Sequence, residues 1–403
     1  MRALLLALIL LTGPVVAQVP ASVARVDAPE LARLGPSSVG IRTLHLVGHK
    51  VDERDLDVEI WYPATTTPNA APVVYSGALT PEHATDEPVR FSNPGIAVRD
   101  AKPATGGPYP LVVLSHGHSG TPQAMAWLGE NLASKGYIVV GPYHRDPPIT
   151  DAAQFAIAVK WRPLDQAFAA RSVQILAHDQ ASWLAGLVDP GHMALIGYSM
   201  GGYGAVSIAA GRAKVEGLKA VVAISPWGGQ ARYSVWSKPE LAAITTPMLM
   251  IVGDRDDVVG YADGVRSIYE GAIHAPRYLL VFENAGHSIG MGPASAETYK
   301  TLWGLDYFED PVWRKDRLIG VNLQMITAFL DLTLRGDASR AAYLDVAVGK
   351  GNDAAWPDGA GSPAYGAISP GTPPITVWKG FPRRGVTGLE LRHDLPAAHD
   401  PVP

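Results

Sequence analysis

Ser199 stands in the stretch LIGYSMGGYGA, Leu195 to Ala205, with Gly197, Gly201, Gly202 and Gly204 crowded around it. A serine hydroxyl is a poor nucleophile until a base removes its proton. The chain downstream holds residues of the types needed. Asp254, Asp256 and Asp257 follow an apolar run in PMLMIVGDRDDVVG, and His287 follows another in VFENAGHSIG. Serine, carboxylate and imidazole together point to acyl transfer through a covalent intermediate.

The turn around the serine carries more information than its composition. Gly197-Tyr198-Ser199-Met200-Gly201 is a G-x-S-x-G pentapeptide between a strand candidate, MALIG, and a helix candidate, GGYGAVSIAAGR. A sharp strand-to-helix bend needs small flanking residues and lifts the central hydroxyl clear of the sheet edge. The start of the next helix adds a positive dipole end beside it. Helix-on-strand packing alone would explain Gly202 and Gly204, but not a serine at the centre.

His287 is expected to accept the serine proton, and a buried aspartate to fix its tautomer and stabilise the imidazolium. Asp256 is favoured for that role by the spacing Gly253-x-x-Asp256 followed by Val259; Asp257 is the alternative, and Asp254 is a candidate to cap or brace the loop. His274, His393 and His399 also follow the acid loop, but only His287 has the glycine-preceded position at the end of a strand. A tetrahedral oxyanion also needs donors. Met200 offers one backbone N–H. The second is expected from SHGHSG, Ser115 to Gly120, with His118 first and Ser119 second. Reading His116 and His118 as metal ligands is weak, because no third ligand stands nearby. No metal or organic cofactor is expected.

The elements that must hold these groups follow from the apolar pattern. After IRTLHLV and LDVEIWYP come PLVVLSHG, YIVVGPY, MALIGYS, AVVAISPW, PMLMIVGD and RYLLVFENAGH. Several are continuously apolar, as in strands buried on both faces of a parallel sheet. Helical segments are expected over Pro122–Lys135, Asp165–Leu187, Gly202–Ala213, Ala262–Glu270 and Val321–Leu334. The alternation predicts an α/β fold with a doubly wound, mostly parallel sheet and N-terminal antiparallel strands. Residues 77–108 are read as a loop insertion. Residues 349–403 are read as an irregular Gly/Pro-rich extension, packed over the core or partly loose, with PITVWKGF as its one strand candidate. Residues 18–348 would then form one catalytic domain.

Composition narrows the partners. Of 403 residues, 47% are hydrophobic and 18% charged, enough apolar content for a large core. The net charge of -5 comes with no Lys/Arg block, so nucleic acid is not an expected partner. The start, MRALLLALILLTGPVVAQ, reads as a signal peptide, residues 1–17, cut near Ala17–Gln18, which predicts a periplasmic or secreted protein. Its apolar run is short for a membrane span of about 20 residues, and no later stretch is as apolar over that length. With no cysteine, thiol catalysis, cysteine-ligated zinc and disulfides are excluded.

VEIWYPA, YPLVVLSHGHSG, LASKGYIVVGPYHRD and GYSMGG resemble successive signatures of bacterial predicted dienelactone hydrolase and platelet-activating-factor acetylhydrolase-like esterases, in the α/β-hydrolase superfamily. The resemblance covers roughly residues 41–334. The central part is also similar to bacterial cutinases and polyester hydrolases, through SHGHSGTPQAMAWLGENLASKGYIVV, GYSMGG and ISPWGG. It implies Ser199, Asp256 and His287 as a triad, oxyanion donors at His118 and Met200, and Trp227 beside the acyl group. It also implies that His144-Arg145-Asp146 is a strand-end turn bordering the site. The activity implied is hydrolysis of a small-molecule or lipid-like carboxylic ester. A phospholipase A2-like acetylhydrolase and a polyester hydrolase are narrower forms of it, and a silent hydrolase-fold binding module is the rival. True dienelactone hydrolases use cysteine, so that activity does not carry over. Cutinases of this type are shorter and lack the 77–108 insertion and the tail.

Overall fold

The computed structural model describes residues 28–67, 69–79, 87–147, 152–233, 235–354, 377–381 and 385–397. The expected signal segment, residues 1–17, lies outside them. In chain order, β1 (Ser38–Leu46) and β2 (Leu56–Thr65) pair antiparallel, and β3 (Val74–Leu79) and β4 (Val89–Pro94) form a separate two-stranded sheet. The short β5 (Val98–Arg99) and β6 (Lys102–Pro103) pair with β1 and β2. Then β7 (Tyr109–Ser115), β8 (Ile138–Pro142), β9 (Val188–Tyr198), β10 (Leu218–Ile224), β11 (Met248–Gly253) and β12 (Arg277–Phe282) run mutually parallel. An antiparallel edge strand, β13 (Leu389–Asp394), completes a sheet of eleven. The order along it is β5-β1-β2-β8-β7-β9-β10-β11-β12-β13, with β6 on β2. This is the α/β architecture that the apolar runs predict.

The helices are α1 (Ala126–Ser134), α2 (Ala152–His178), α3 (Met200–Ala209), α4 (Lys238–Ala242), α5 (Arg266–Gly271), α6 (Leu302–Phe308), α7 (Lys315–Leu334) and α8 (Ala341–Leu344). Successive strand residues point to opposite faces, so the continuous apolar runs feed two cores. Val112, Leu114, Ile196, Val222, Ile251 and Leu280 face the side covered by α1 and α7. Leu111, Val113, Leu195, Val221, Met250 and Leu279 face the side covered by α2, α3 and α5. Each such side chain, fully buried, stabilises the fold by roughly 1.5–3 kcal/mol. α7 is long and apolar enough to cross a membrane, but most of it is buried inside the protein.

Three expectations are corrected. Residues 77–108 are not a plain loop: β3 and β4 pair here, with Tyr75, Leu79, Val89 and Phe91 buried on one face. Their period-two pattern is diluted by flanking prolines and glycines, and residues 80–86 lie outside the described residues. The helix expected from Asp165 to Leu187 spans Ala152–His178 instead. Pro163 does not end it, although a proline removes one helical hydrogen bond. Past its C-terminus the Asp179 carboxylate accepts the Ala181 amide at 2.9 Å in a turn. In the tail, the described part of PITVWKGF, Val377–Phe381, is a turn that buries Trp378 and Phe381. The strand is Leu389–Asp394, where Leu389 and Leu391 alternate with polar residues.

This topology places the loops that matter side by side. β7 lies between β8 and β9, so the chain reverses its direction of travel across the sheet there, the usual position of a ligand crevice in open α/β sheets. Ser115 at the end of β7 pairs with Gly197 near the end of β9. The loop Ser115–Gly120 and the turn at Ser199 therefore leave the same sheet edge next to each other.

Candidate active site

Ser199 sits between β9 and α3 with φ 53° and ψ -116°, a left-handed conformation that costs a non-glycine residue of order 1–3 kcal/mol. The glycines make the bend possible. A Cβ on Gly197 would lie 2.2 Å from the Gly201 carbonyl carbon, and one on Gly201 would lie 2.2 Å from the Ser115 carbonyl oxygen. Backbone bonds hold the bend from both sides. The Ser199 amide donates to the Ile224 carbonyl at 2.9 Å, and its carbonyl accepts the amides of Tyr203 at 3.0 Å and Trp227 at 3.1 Å. The last of these ties Trp227 to the serine turn.

His287 follows β12 in a single 3-10 turn, His287–Gly290. Its Nδ1 lies 2.7 Å from the Asp256 Oδ2. The other carboxylate oxygen, Oδ1, accepts the amides of Val258 at 3.1 Å and Val259 at 3.0 Å, which orients the group. Burial pushes the Asp256 carboxyl up, but the His287 ring and the amide donors outweigh it and hold the pKa below its ordinary value. Asp257 is exposed and Asp254 accepts the Asn284 amide at 2.6 Å, so Asp254 braces the loop. Of the three carboxylates offered by the sequence, geometry pairs Asp256 with the imidazole.

Residues that sequence reasoning missed fix the His287 turn. The Tyr198 hydroxyl donates to the His287 carbonyl at 3.0 Å, the two rings lying 5.0 Å apart. Lys315 Nζ donates to the Ser288 carbonyl and Asn322 Nδ2 to the Ile289 carbonyl, both at 2.8 Å, while the Gly286 amide donates to Asp310 at 2.8 Å. Lys315 opens α7 and Asn322 lies in its middle, both buried, and the other polar residues of that helix give the sequence no means of singling them out.

The Ser115–Gly120 loop is held by buried charge. Arg162 on α2 donates to the carbonyls of His116 and Gly117 and to Asp146. His144 bridges Ser115 Oγ at 2.8 Å and Asp165 Oδ2 at 2.9 Å. The strand-end turn His144-Arg145-Asp146 thus borders the site. The Ser119 amide donates to Asp146 Oδ2 at 3.0 Å, so it is already engaged. Both imidazoles of the loop have partners: His116 Nδ1 lies 2.7 Å from the Gly117 carbonyl and His118 Nδ1 lies 2.8 Å from Ser119 Oγ. Among the described residues, no group of three or more His, Asp or Glu side chains could hold a metal ion.

A cavity of about 840 Å³ brings the site together. Ser199, Met200, His118, His287 and Trp227 all line it. Its apolar walls are aromatic: Phe155 and Tyr233 pack on Trp227 with centroids 4.9 Å and 4.8 Å apart, and Trp303 and Tyr307 also line it. Leu79 from the β3–β4 sheet reaches the same cavity. That sheet is docked there by Phe91 against Phe308, 6.0 Å apart, and by Asn93 Nδ2 donating to the Pro293 carbonyl at 3.0 Å.

Residues 100–318, more than half of the 403, match the model of a family described as PET hydrolase-like. The chain belongs to that family. The PET hydrolase-like region contains Ser199, Asp256 and His287, and leaves out the β3–β4 sheet and β13. Over 170 residues the chain is 28% identical to Cutinase 2 of Thermobifida cellulosilytica, covering 41% of this chain and 55% of that protein. It is 28% identical to Cutinase est1 of Thermobifida alba over 189 residues, 46% of this chain and 55% of that one. It is 27% identical to a bis(hydroxyethyl) terephthalate hydrolase of Streptomyces coelicolor over 210 residues, 51% of this chain and 59% of that one. The chain thus spans about half the length of the curated relatives it matches.

Proposed function

We propose that this PET hydrolase-like chain is a serine carboxylic-ester hydrolase. The observation that carries the reading is the 2.7 Å pairing of His287 with Asp256 at the wall of a cavity that Ser199 also lines. Ser199 Oγ attacks the ester carbonyl while the imidazole of His287 takes its proton. The carbonyl π pair moves onto oxygen, and the amides of His118 and Met200 donate to that oxyanion. Met200 is the first residue of α3, where helical amides have no intrahelical partner and the dipole is positive. Collapse of the tetrahedral intermediate breaks the bond to the alkoxide leaving group, which takes the proton from His287. Water then attacks the acyl-serine by the same route, releasing the acid and restoring the serine.

Throughout, Asp256 holds the Nδ1 proton and offsets the charge on the imidazolium. The aromatic walls at Phe155, Trp227 and Tyr233 suit an apolar or aromatic acyl group. The N-terminal signal, read from sequence, would place the mature enzyme outside the cytoplasm. The test is hydrolysis of p-nitrophenyl esters of graded chain length by the wild type and Ser199→Ala. The reading expects turnover lost with the serine. Equal background rates in both would leave a binding module, and equal turnover in both would move the nucleophile elsewhere.

A further inference from the structure

We propose that the buried Arg162 is a positioning residue for the oxyanion hole: by holding the Gly117 carbonyl it aims the His118 amide at the reacting carbonyl. This rests on the ester-hydrolase reading.

Arg162 is fully buried on α2. Its Nε donates to Asp146 Oδ1 at 3.0 Å, and its Nη2 donates to Asp146 Oδ2 and to the Gly117 carbonyl, the latter at 2.8 Å. Its Nη1 donates to the His116 carbonyl and lies 3.4 Å from Ser115 Oγ. One side chain therefore grips two successive carbonyls of the loop after β7.

The consequence follows from the peptide bond. The Gly117 carbonyl and the His118 amide belong to one planar trans unit and point in opposite directions. The Gly117 oxygen is fixed by Arg162, by the Gly120 amide at 3.2 Å, and by His116 Nδ1 at 2.7 Å. With the oxygen turned inward, the His118 N–H is turned away from Arg162. Gly117 backs onto the serine turn: a Cβ there would lie 3.5 Å from the Ser199 Cβ. One residue further on, Asp146, held by the same guanidinium, takes the Ser119 amide. His118 is left between two anchored neighbours. A cationic donor on the Gly117 carbonyl also polarises that peptide, which strengthens its N–H as a donor.

An ion pair that merely joins α2 to the sheet would give the same contacts, so the test must read oxyanion stabilisation itself. Arg162→Lys keeps the charge but loses the planar fork. Asp146→Asn keeps the shape and releases the guanidinium from its carboxylate. For both, kcat and KM on a p-nitrophenyl ester are measured per active site titrated with a fluorophosphonate. The inhibition constant of an aryl trifluoromethyl ketone, which adds Ser199 Oγ to form a hemiketal oxyanion, is measured alongside. Expected in at least one folded variant are a kcat lower by about 100-fold, KM within about threefold, and the ketone weakened by a similar factor as kcat. Wild-type kcat and ketone affinity in the folded variants would overturn the proposal. So would loss of folding in both, which would make the pair purely structural. A wild type inactive on every ester would instead sink the parent reading.

Discussion

His287 Nδ1 lies 2.7 Å from Asp256 Oδ2, while Asp257, the next residue, is exposed. One carboxylate thus fixes the imidazole and its neighbour does not, although the sequence offers both. Asp256→Asn is expected to lower kcat by three to four orders of magnitude, on the scale of tautomer loss in a serine–histidine–aspartate triad, about 10⁴-fold. The Asn side chain keeps an acceptor for the Val258 and Val259 amides, so the loop should hold. Asp257→Asn is expected within about threefold of wild type. Steady-state kinetics of the two variants side by side check this, and the reverse outcome would reassign the acid.

The bend at Ser199 should be intolerant of a single methyl group. Gly197→Ala places a Cβ 2.2 Å from the Gly201 carbonyl carbon, a backbone atom that cannot turn aside. A stability loss of about 3 kcal/mol or more is expected in urea unfolding. Gly191→Ala, where the nearest atom is a side-chain oxygen 3.4 Å away, should stay within about 0.5 kcal/mol. Equal stability of the two variants would contradict the packing described for the bend.

Acid should loosen the loop beneath the oxyanion donor. Burial, and then the nearby Arg162 charge, push the His144 pKa down to about 4 from an ordinary 6.5, and burial lowers His116 in the same direction. Between about pH 4 and 6.5 the unfolded chain therefore takes up a proton at His144 that the folded one does not, so the His144 contribution to stability falls as pH drops through that window and is fully lost below it. At about 1.36 kcal/mol per unit, His144 alone accounts for roughly 3 kcal/mol. His144→Gln, which never ionises, should reduce the slope of unfolding free energy over that window, leaving the part due to the other histidines that burial lowers, His116 and His118. An unchanged slope would mean that His144 does not titrate as the burial implies.

Trp227 should act on binding more than on chemistry. Its amide is tied to the Ser199 carbonyl at 3.1 Å, and its ring packs between Phe155 and Tyr233 at the cavity wall. Trp227→Ala is expected to raise KM for aromatic esters about tenfold, or 1.4 kcal/mol, with a smaller change in kcat. A large kcat loss with unchanged KM would place the ring against the transition state alone.

How much of this could be read from the chain depended on whether local sequence carried the constraint. Ser199, Asp256 and His287 were legible as candidates because each follows the C-terminal end of a continuously apolar parallel strand, where turn chemistry is local. The β3–β4 sheet was not, because only about half of its residues are apolar and prolines flank both strands. Strand β13 was hidden for a similar reason: LELRHD is charged, and its place is set by pairing with β12. Arg162, Lys315 and Asn322 act through carbonyls of loops remote in sequence, so nothing in their neighbours marks them. His144-Arg145-Asp146 stood out as a motif, but its partners at Asp165 and Arg162 required the fold.

The central claim is that one hydroxyl carries the acyl group. The direct measurement is to label the protein with a fluorophosphonate, digest it, and map the modified residue by mass spectrometry, with Ser199→Ala and His287→Ala in parallel. The expected result is a single stoichiometric adduct on Ser199, absent in the serine variant and strongly slowed in the histidine variant. An adduct on another residue, or an unmodified wild type that still hydrolyses esters, would contradict it.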